Sequence, residues 1–198
     1  FMGDYREAIR HYRHADLVED ASPKELSRLA VCYQRVNMPE KAIETLEDLL
    51  KKNPENLTPL LKIAGVYMEM KAFDEALSYL YKYEFSAPDG ERQVARLVAW
   101  CLLSKGDYER AKGYYRTLLS LPGAKASDYL NSAYVHIAQG EEREALAAMR
   151  MALEHYDEPS ELFREMQEDS RNLDRSAISF DRLRFLADGA IALRNQDF

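Results

Sequence analysis

Residues 106–118 read GDYERAKGYYRTL, and residues 3–15 read GDYREAIRHYRHA. Each stretch opens Gly-Asp-Tyr, carries an alanine on the same phase (Ala111, Ala8) and places a tyrosine one helical turn after it (Tyr115, Tyr12). The phase continues along the chain, because Ala8, Ala42, Ala76, Ala111 and Ala145 stand 34, 34, 35 and 34 residues apart. Self-similarity with a period of about 20 to 50 residues marks stacked supersecondary units, and it outranks local propensity.

The repetition is several columns deep. Four residues after each alanine come Tyr12, Leu46, Leu80, Tyr115 and Met149; three further on come Ala15, Leu49, Tyr83, Leu118 and Ala152. Offsets of zero, four and seven make one stripe of an amphipathic helix. Upstream, a second helix carries Leu26, Leu60, Ala95 and Tyr129, then Leu29, Ile63, Val98 and Ser132, then Ala30, Ala64, Ala99 and Ala133. Its last apolar column is Tyr33, Tyr67, Leu102 and His136. Each unit is therefore two helices, A and B, with alanines letting the backbones approach and large side chains filling the space beside them.

The turn between the helices reads Gly3-Asp4-Tyr5, Asn37-Met38-Pro39, Lys71-Ala72-Phe73, Gly106-Asp107-Tyr108 and Gly140-Glu141-Glu142. Gly and Asn suit a helix end that needs positive φ. Pro54, Pro88 and Pro122-Gly123 stop helix B, and Ser22-Pro23-Lys24-Glu25 is a capping-box start.

These columns resemble the tetratricopeptide repeat (TPR) family, whose unit is a 34-residue helix-turn-helix with small residues in both helices and a closing proline. The resemblance runs from residue 1 to about 157, with Asp20 and Asp157 in place of the closing proline, Ser132 and His136 in apolar columns, and one residue inserted near Asp89 and Gly90. It implies an all-α, right-handed α-solenoid of antiparallel helix pairs, a TPR-like superhelix. The expected organisation is a half-repeat over 1–22, repeats over 23–56, 57–91, 92–125 and 126–157, and C-terminal capping helices over 158–198, all in one continuous domain. The repeat phase is lost after Asp157, where Leu162, Phe163 and Met166 predict one helix over 160–170 and Phe180, Leu183, Leu186, Ala190 and Leu193 a second over 178–193. Such an atypical pair suits a terminal cap.

Formal charge is -7 with a pI near 5.2, which argues against a nucleic-acid surface. No apolar run approaches the ~18 residues of a membrane span. Cys32 and Cys101 occupy equivalent places two repeats apart, beyond disulfide reach, and are expected to be free thiols. Free thiols point to a reducing compartment, the cytoplasm by default. Because Gly3 occupies the A-to-B turn, helix A of the first unit is missing; this predicts a fragment of a longer repeat protein, or an open end that pairs with another copy.

Chemistry is sparse. There is no His-Glu-x-x-His, no zinc-spaced Cys/His group, no Gly-rich phosphate loop and no Gly-x-Ser-x-Gly turn. His11 and His14 could share a metal, but a solvated helix face explains them. His136 reads as a tolerated core imidazole, and His155 as a partner of a helix dipole. The expectation is no enzyme, no catalytic residue, no metal and no cofactor.

The outward side of helix A is more informative, because the family resemblance implies that it lines a concave groove. Repeat phase places Lys24, Arg28, Arg35, Lys62 and Arg96 there against Glu69, an excess of positive charge in an acidic chain. Toward the C-terminal side come Trp100, Leu103, Leu130, Asn131, Tyr134 and Ile137. The expected role is a non-catalytic protein-protein interaction scaffold. A peptide or helical segment of a partner, acidic in character, would be gripped by Lys24, Arg28, Arg35, Lys62 and Arg96 and anchored by Trp100, Asn131 and Tyr134. Val31, Gly65, Trp100 and Tyr134 stand where the family's chaperone-tail clamp has its asparagine, so that specificity is not expected. Two other readings are the sensor region of a larger signalling or transcription protein, and a self-assembly module.

Overall fold

The computed structural model describes residues 2–14, 21–87 and 91–194. Among them are eleven α-helices and no strand. They are α1 (Met2–His14), α2 (Pro23–Arg35), α3 (Pro39–Lys52), α4 (Thr58–Glu69), α5 (Phe73–Ser86), α6 (Glu91–Lys105), α7 (Tyr108–Ser120), α8 (Ala126–Ala138), α9 (Glu142–Leu153), α10 (Pro159–Asp169) and α11 (Phe180–Arg194). The fold is all-helical, and the helices α2 to α9 are the four A/B pairs. Ala15, Asp20, Pro88 and the insertion at Asp89 and Gly90 lie outside the described residues.

The chain forms two compact units, Phe1–Glu91 and Arg92–Phe198. In the first, α1 packs on α2, α2 on α3, α3 on α4 and α4 on α5. In the second, α7 packs on α8, α8 on α9, and α11 on α9.

The alanine columns lie in the interior. Ala42, Ala64, Ala76, Ala99, Ala111, Ala133 and Ala145 have no exposed surface at all. Leu46, Leu80, Tyr115 and Met149 are sealed beside them. The same alanines also open their helices, since the N–H groups of Ala42, Ala76, Ala111 and Ala145 donate to the carbonyls of Met38, Ala72, Asp107 and Glu141.

All four described A/B turns are built alike. Asn37, Lys71, Gly106 and Gly140 take positive φ. The N–H of the next residue then reaches back five positions, to Tyr33, Tyr67, Leu102 and His136, which is the bond of a Schellman motif. Lys71 does this at φ 58°, the strained choice among the four. Gly3 departs from the expectation: it lies in the first turn of α1 rather than between two helices. The capping box at Ser22 is present in full, with Glu25 N–H donating to the Ser22 hydroxyl and the Ser22 N–H donating to the Glu25 carboxylate.

The C-terminal helices form a further antiparallel pair. Tyr134 of α8 meets Asp169 at the end of α10, while Tyr156, before α10, bonds Glu165 within it. Arg182 near the start of α11 pairs with Glu142 at the start of α9, and Arg194 at its end donates to the Leu153 carbonyl at the end of α9. Helix α11 therefore runs parallel to α9, burying Leu183, Ala187 and Ala190. Gly189 lies on the exposed side and does not interrupt it.

Candidate binding site

The first unit brings three of the eight sequence-predicted site residues together. Lys24 and Arg28 project from the N-terminal half of α2, and Lys62 from α4; all three line one cleft of about 320 Å³, floored in part by Pro23, Leu49 and Pro59. Capping places them: Ser22 and Pro23 begin α2 one residue before Lys24, and the Asn56 side chain accepts from the Thr58 N–H at the start of α4. Lys24 and Arg28 are exposed. Lys62 is half-buried and donates to the Ser27 hydroxyl at 2.6 Å, a neutral partner that fixes the ammonium without cancelling it. Glu25 neighbours Arg28, but its carboxylate is occupied by Ser22, which holds it below the usual range more than Arg28 does.

Arg35 does not join them. It lies in the last turn of α2, where its charge faces the helix C-terminus. Eleven residues of helix put it about 16 Å along the axis from Lys24.

The second unit corrects the rest of the expected groove. Arg96 is not an open cation: its Nε and Nη2 grip both carboxylate oxygens of Asp128 at 2.7–2.9 Å, and Nη2 also donates to the Gly123 carbonyl at 3.1 Å. Asp128 is 1% exposed, so a buried carboxylate consumes the arginine. Tyr134 is fully buried, with its hydroxyl on Asp169 at 3.0 Å and its ring 6.0 Å from Phe180, because the C-terminal pair lies across this side of α8. Asn131 is half-buried against the Tyr115 hydroxyl, with its side-chain oxygen turned inside. Leu103, Leu130 and Ile137 are core. Trp100 keeps partial exposure.

A signal for Arg96 was present in the sequence. One position after Lys24, Thr58, Gln93 and Ser127, the repeat phase gives Glu25, Pro59, Val94 and Asp128; Glu25 is exposed, but Pro59 and Val94 are buried, and the buried Asp128 takes an internal cation.

Two of the histidines, His136 and His155, make contacts within the chain. His136 Nδ1 lies 2.6 Å from Glu141, which also takes the Lys112 ammonium at 2.6 and 2.7 Å. Lys112 first, then His136, keeps the Glu141 carboxyl below its ordinary value. His155 contacts the Met151 carbonyl at 2.8 Å, and its ring lies 5.0 Å from Tyr129. His11 is exposed, and the side chain of His14 lies outside the described residues. Among the described residues no group of three or more His, Cys, Asp or Glu is placed to hold a metal ion, and no helix is long and apolar enough to cross a membrane. Both cysteines are free and buried, and burial pushes the Cys101 thiol up to about 12.

The second unit generates two predictions. Replacing Arg96 by Met strands Asp128 in the interior and is expected to lower stability by about 3–5 kcal/mol in urea titrations, against less than about 0.5 kcal/mol for Arg28→Met. Burial holds the Asp169 carboxyl at about 6, above its ordinary 3.8, against the pull of the Tyr134 hydroxyl. A group with a raised native pKa stabilises the fold fully below its unfolded value and loses that contribution as pH rises through the native one. The unfolding midpoint of the wild type is therefore expected to fall between about pH 4 and 7 relative to Asp169→Asn, in which this proton is no longer exchanged.

Tetratricopeptide-repeat family models match residues 35–101 and 97–124. Among solved structures, MamA superposes with a TM-score of 0.67 at 18% identity, covering 80% of this chain and 86% of its own. YrrB, described as a TPR protein with an unusual peptide-binding site, gives 0.66 at 14% identity over 83% and 84%. TTC0263, a thermophilic TPR protein of Thermus thermophilus, gives 0.58 at 20% identity over 82% and 89%. No curated protein matches significantly. Identities this low speak for the fold alone, and the fold agrees with the tetratricopeptide-repeat models that match residues 35–124.

Proposed function

We propose that this chain is a non-catalytic binding module and that the cleft between α2 and α4 receives acidic side chains of a partner protein. The observation that carries this reading is the convergence of Lys24, Arg28 and Lys62 on one concavity in a chain of formal charge -7. A local field opposite in sign to the whole molecule steers an acidic segment to that cleft and away from the rest of the surface. Arginine and lysine then hold carboxylates by charge-assisted hydrogen bonds. Lys62 is the best ordered of the three, since Ser27 already fixes its ammonium.

The comparisons support a protein or peptide as the ligand. TPR proteins mediate protein-protein interaction, and one structural neighbour, YrrB, is described by its unusual peptide-binding site.

The test is fluorescence anisotropy with a labelled peptide of alternating Glu and Gly, titrated at low and high salt. Binding is expected to weaken as salt rises, and the triple variant Lys24→Glu, Arg28→Glu, Lys62→Glu is expected to abolish it while the helical circular dichroism stays unchanged. Equal binding by the variant would refute the assignment. Arg35→Glu, at the far end of α2, is expected to change binding less than about threefold, since an exposed charge beyond about one Debye length is largely screened.

A further inference from the structure

The C-terminal pair contains a second cleft, of about 550 Å³, between α10 and α11. This falls in the size range of small-molecule sites, roughly 300–1,000 Å³. Its chemistry differs from that of the α2/α4 cleft. Phe163, Met166 and Phe180 give it apolar walls, while Arg175, Arg184 and Asp181 supply both signs of charge at its edge.

Both arginines are positioned in advance. Ser170 is buried, donates its hydroxyl proton to the Gln167 carbonyl at 2.8 Å, and turns its remaining lone pairs toward Arg175. Arg175 Nη2 donates to that hydroxyl at 3.0 Å and its Nε to the Ser170 carbonyl at 3.1 Å, contacts that leave the Nη1 edge to another acceptor. The Arg184 guanidinium lies 5.8 Å from the centre of the Phe163 ring, within the range of a cation–π attraction that holds it at the cleft. Such guanidinium edges suit a carboxylate. Asp181, on the first turn of α11, is the matching acceptor for a cation.

An apolar wall, two cations and one anion together select a ligand that carries all three complements. We propose that the α10/α11 cleft binds a free α-amino acid with a large apolar side chain, its carboxylate on Arg175 and Arg184, its ammonium on Asp181, and its side chain against Phe163, Met166 and Phe180. An apolar acid without an amine leaves Asp181 facing a like charge, and an amine without a carboxylate leaves the arginines unsatisfied. This site is independent of the acidic-segment reading of the first unit.

Isothermal titration of the full chain with L-phenylalanine as probe tests it, with 3-phenylpropionate, 2-phenylethylamine and L-alanine as comparisons. L-phenylalanine is expected to bind with a Kd on the order of 0.1–1 mM, suited to a ligand of its size, and each comparison compound at least about tenfold more weakly. Arg184→Gln, on the exposed side of α11, is expected to weaken L-phenylalanine about tenfold, the loss of one charged hydrogen-bonding pair. Asp181→Asn is expected to erase the preference for L-phenylalanine over 3-phenylpropionate. Circular dichroism of both variants guards against loss of the helices. No heat or saturable shift with L-phenylalanine overturns the proposal, as does equal binding of 3-phenylpropionate to the wild type or wild-type affinity in both variants.

Discussion

Two helices can lie close together only where the side chains between them are small. Interaxial distances of roughly 8–10 Å leave room for a methyl group at the crossing and for large side chains on either side of it. In this chain the small residue is alanine on both helices of a pair, and the flanking volume is supplied by Leu46, Leu80, Tyr115 and Met149 on helix B. The rest follows from that spacing. A tight crossing demands a short turn, the turn demands one left-handed residue, and Asn37, Lys71, Gly106 and Gly140 provide it at the same register. The shared repeat phase of α2 and α4 places Lys24 and Arg28 beside Lys62 in one cleft.

The second unit shows how the same frame is closed to other uses. Asp128 enters an apolar column and draws Arg96 inward; Asp169 and Phe180 then settle on Tyr134. A face that repeat phase alone would leave open is thereby filled by the protein's own C-terminal pair. Buried polar contacts of this sort are weak sources of stability but strong selectors of arrangement, since an unpaired Asp128 is costly. The carboxyl of Asp169 reports that desolvation directly, in a pKa raised to about 6.

The fold was legible because a solenoid repeats its constraints: each alanine is supported by four others in phase. Lys24, Arg28 and Lys62 were legible for the same reason. Arg96 and Tyr134 were misread, because phase tells which way a side chain points within its own pair and nothing of a partner arriving from outside the repeat. Asp169 and Phe180 belong to a segment with no phase, so no column announced them. Lys71 was equally hidden, since nothing in its chemistry favours the left-handed conformation that its place in the turn imposes. The α10/α11 cleft escaped notice because Arg175 and Arg184 stand outside the repeats altogether.

The central claim is that alanine at the helix crossing sets the frame. It is tested most directly by urea unfolding of Ala76→Leu beside Ala147→Leu, the first fully buried in α5 and the second exposed on α9. The account predicts a loss of about 1–3 kcal/mol or more for Ala76→Leu and a change within about 0.5 kcal/mol for Ala147→Leu. Equal, small effects at both positions would contradict it.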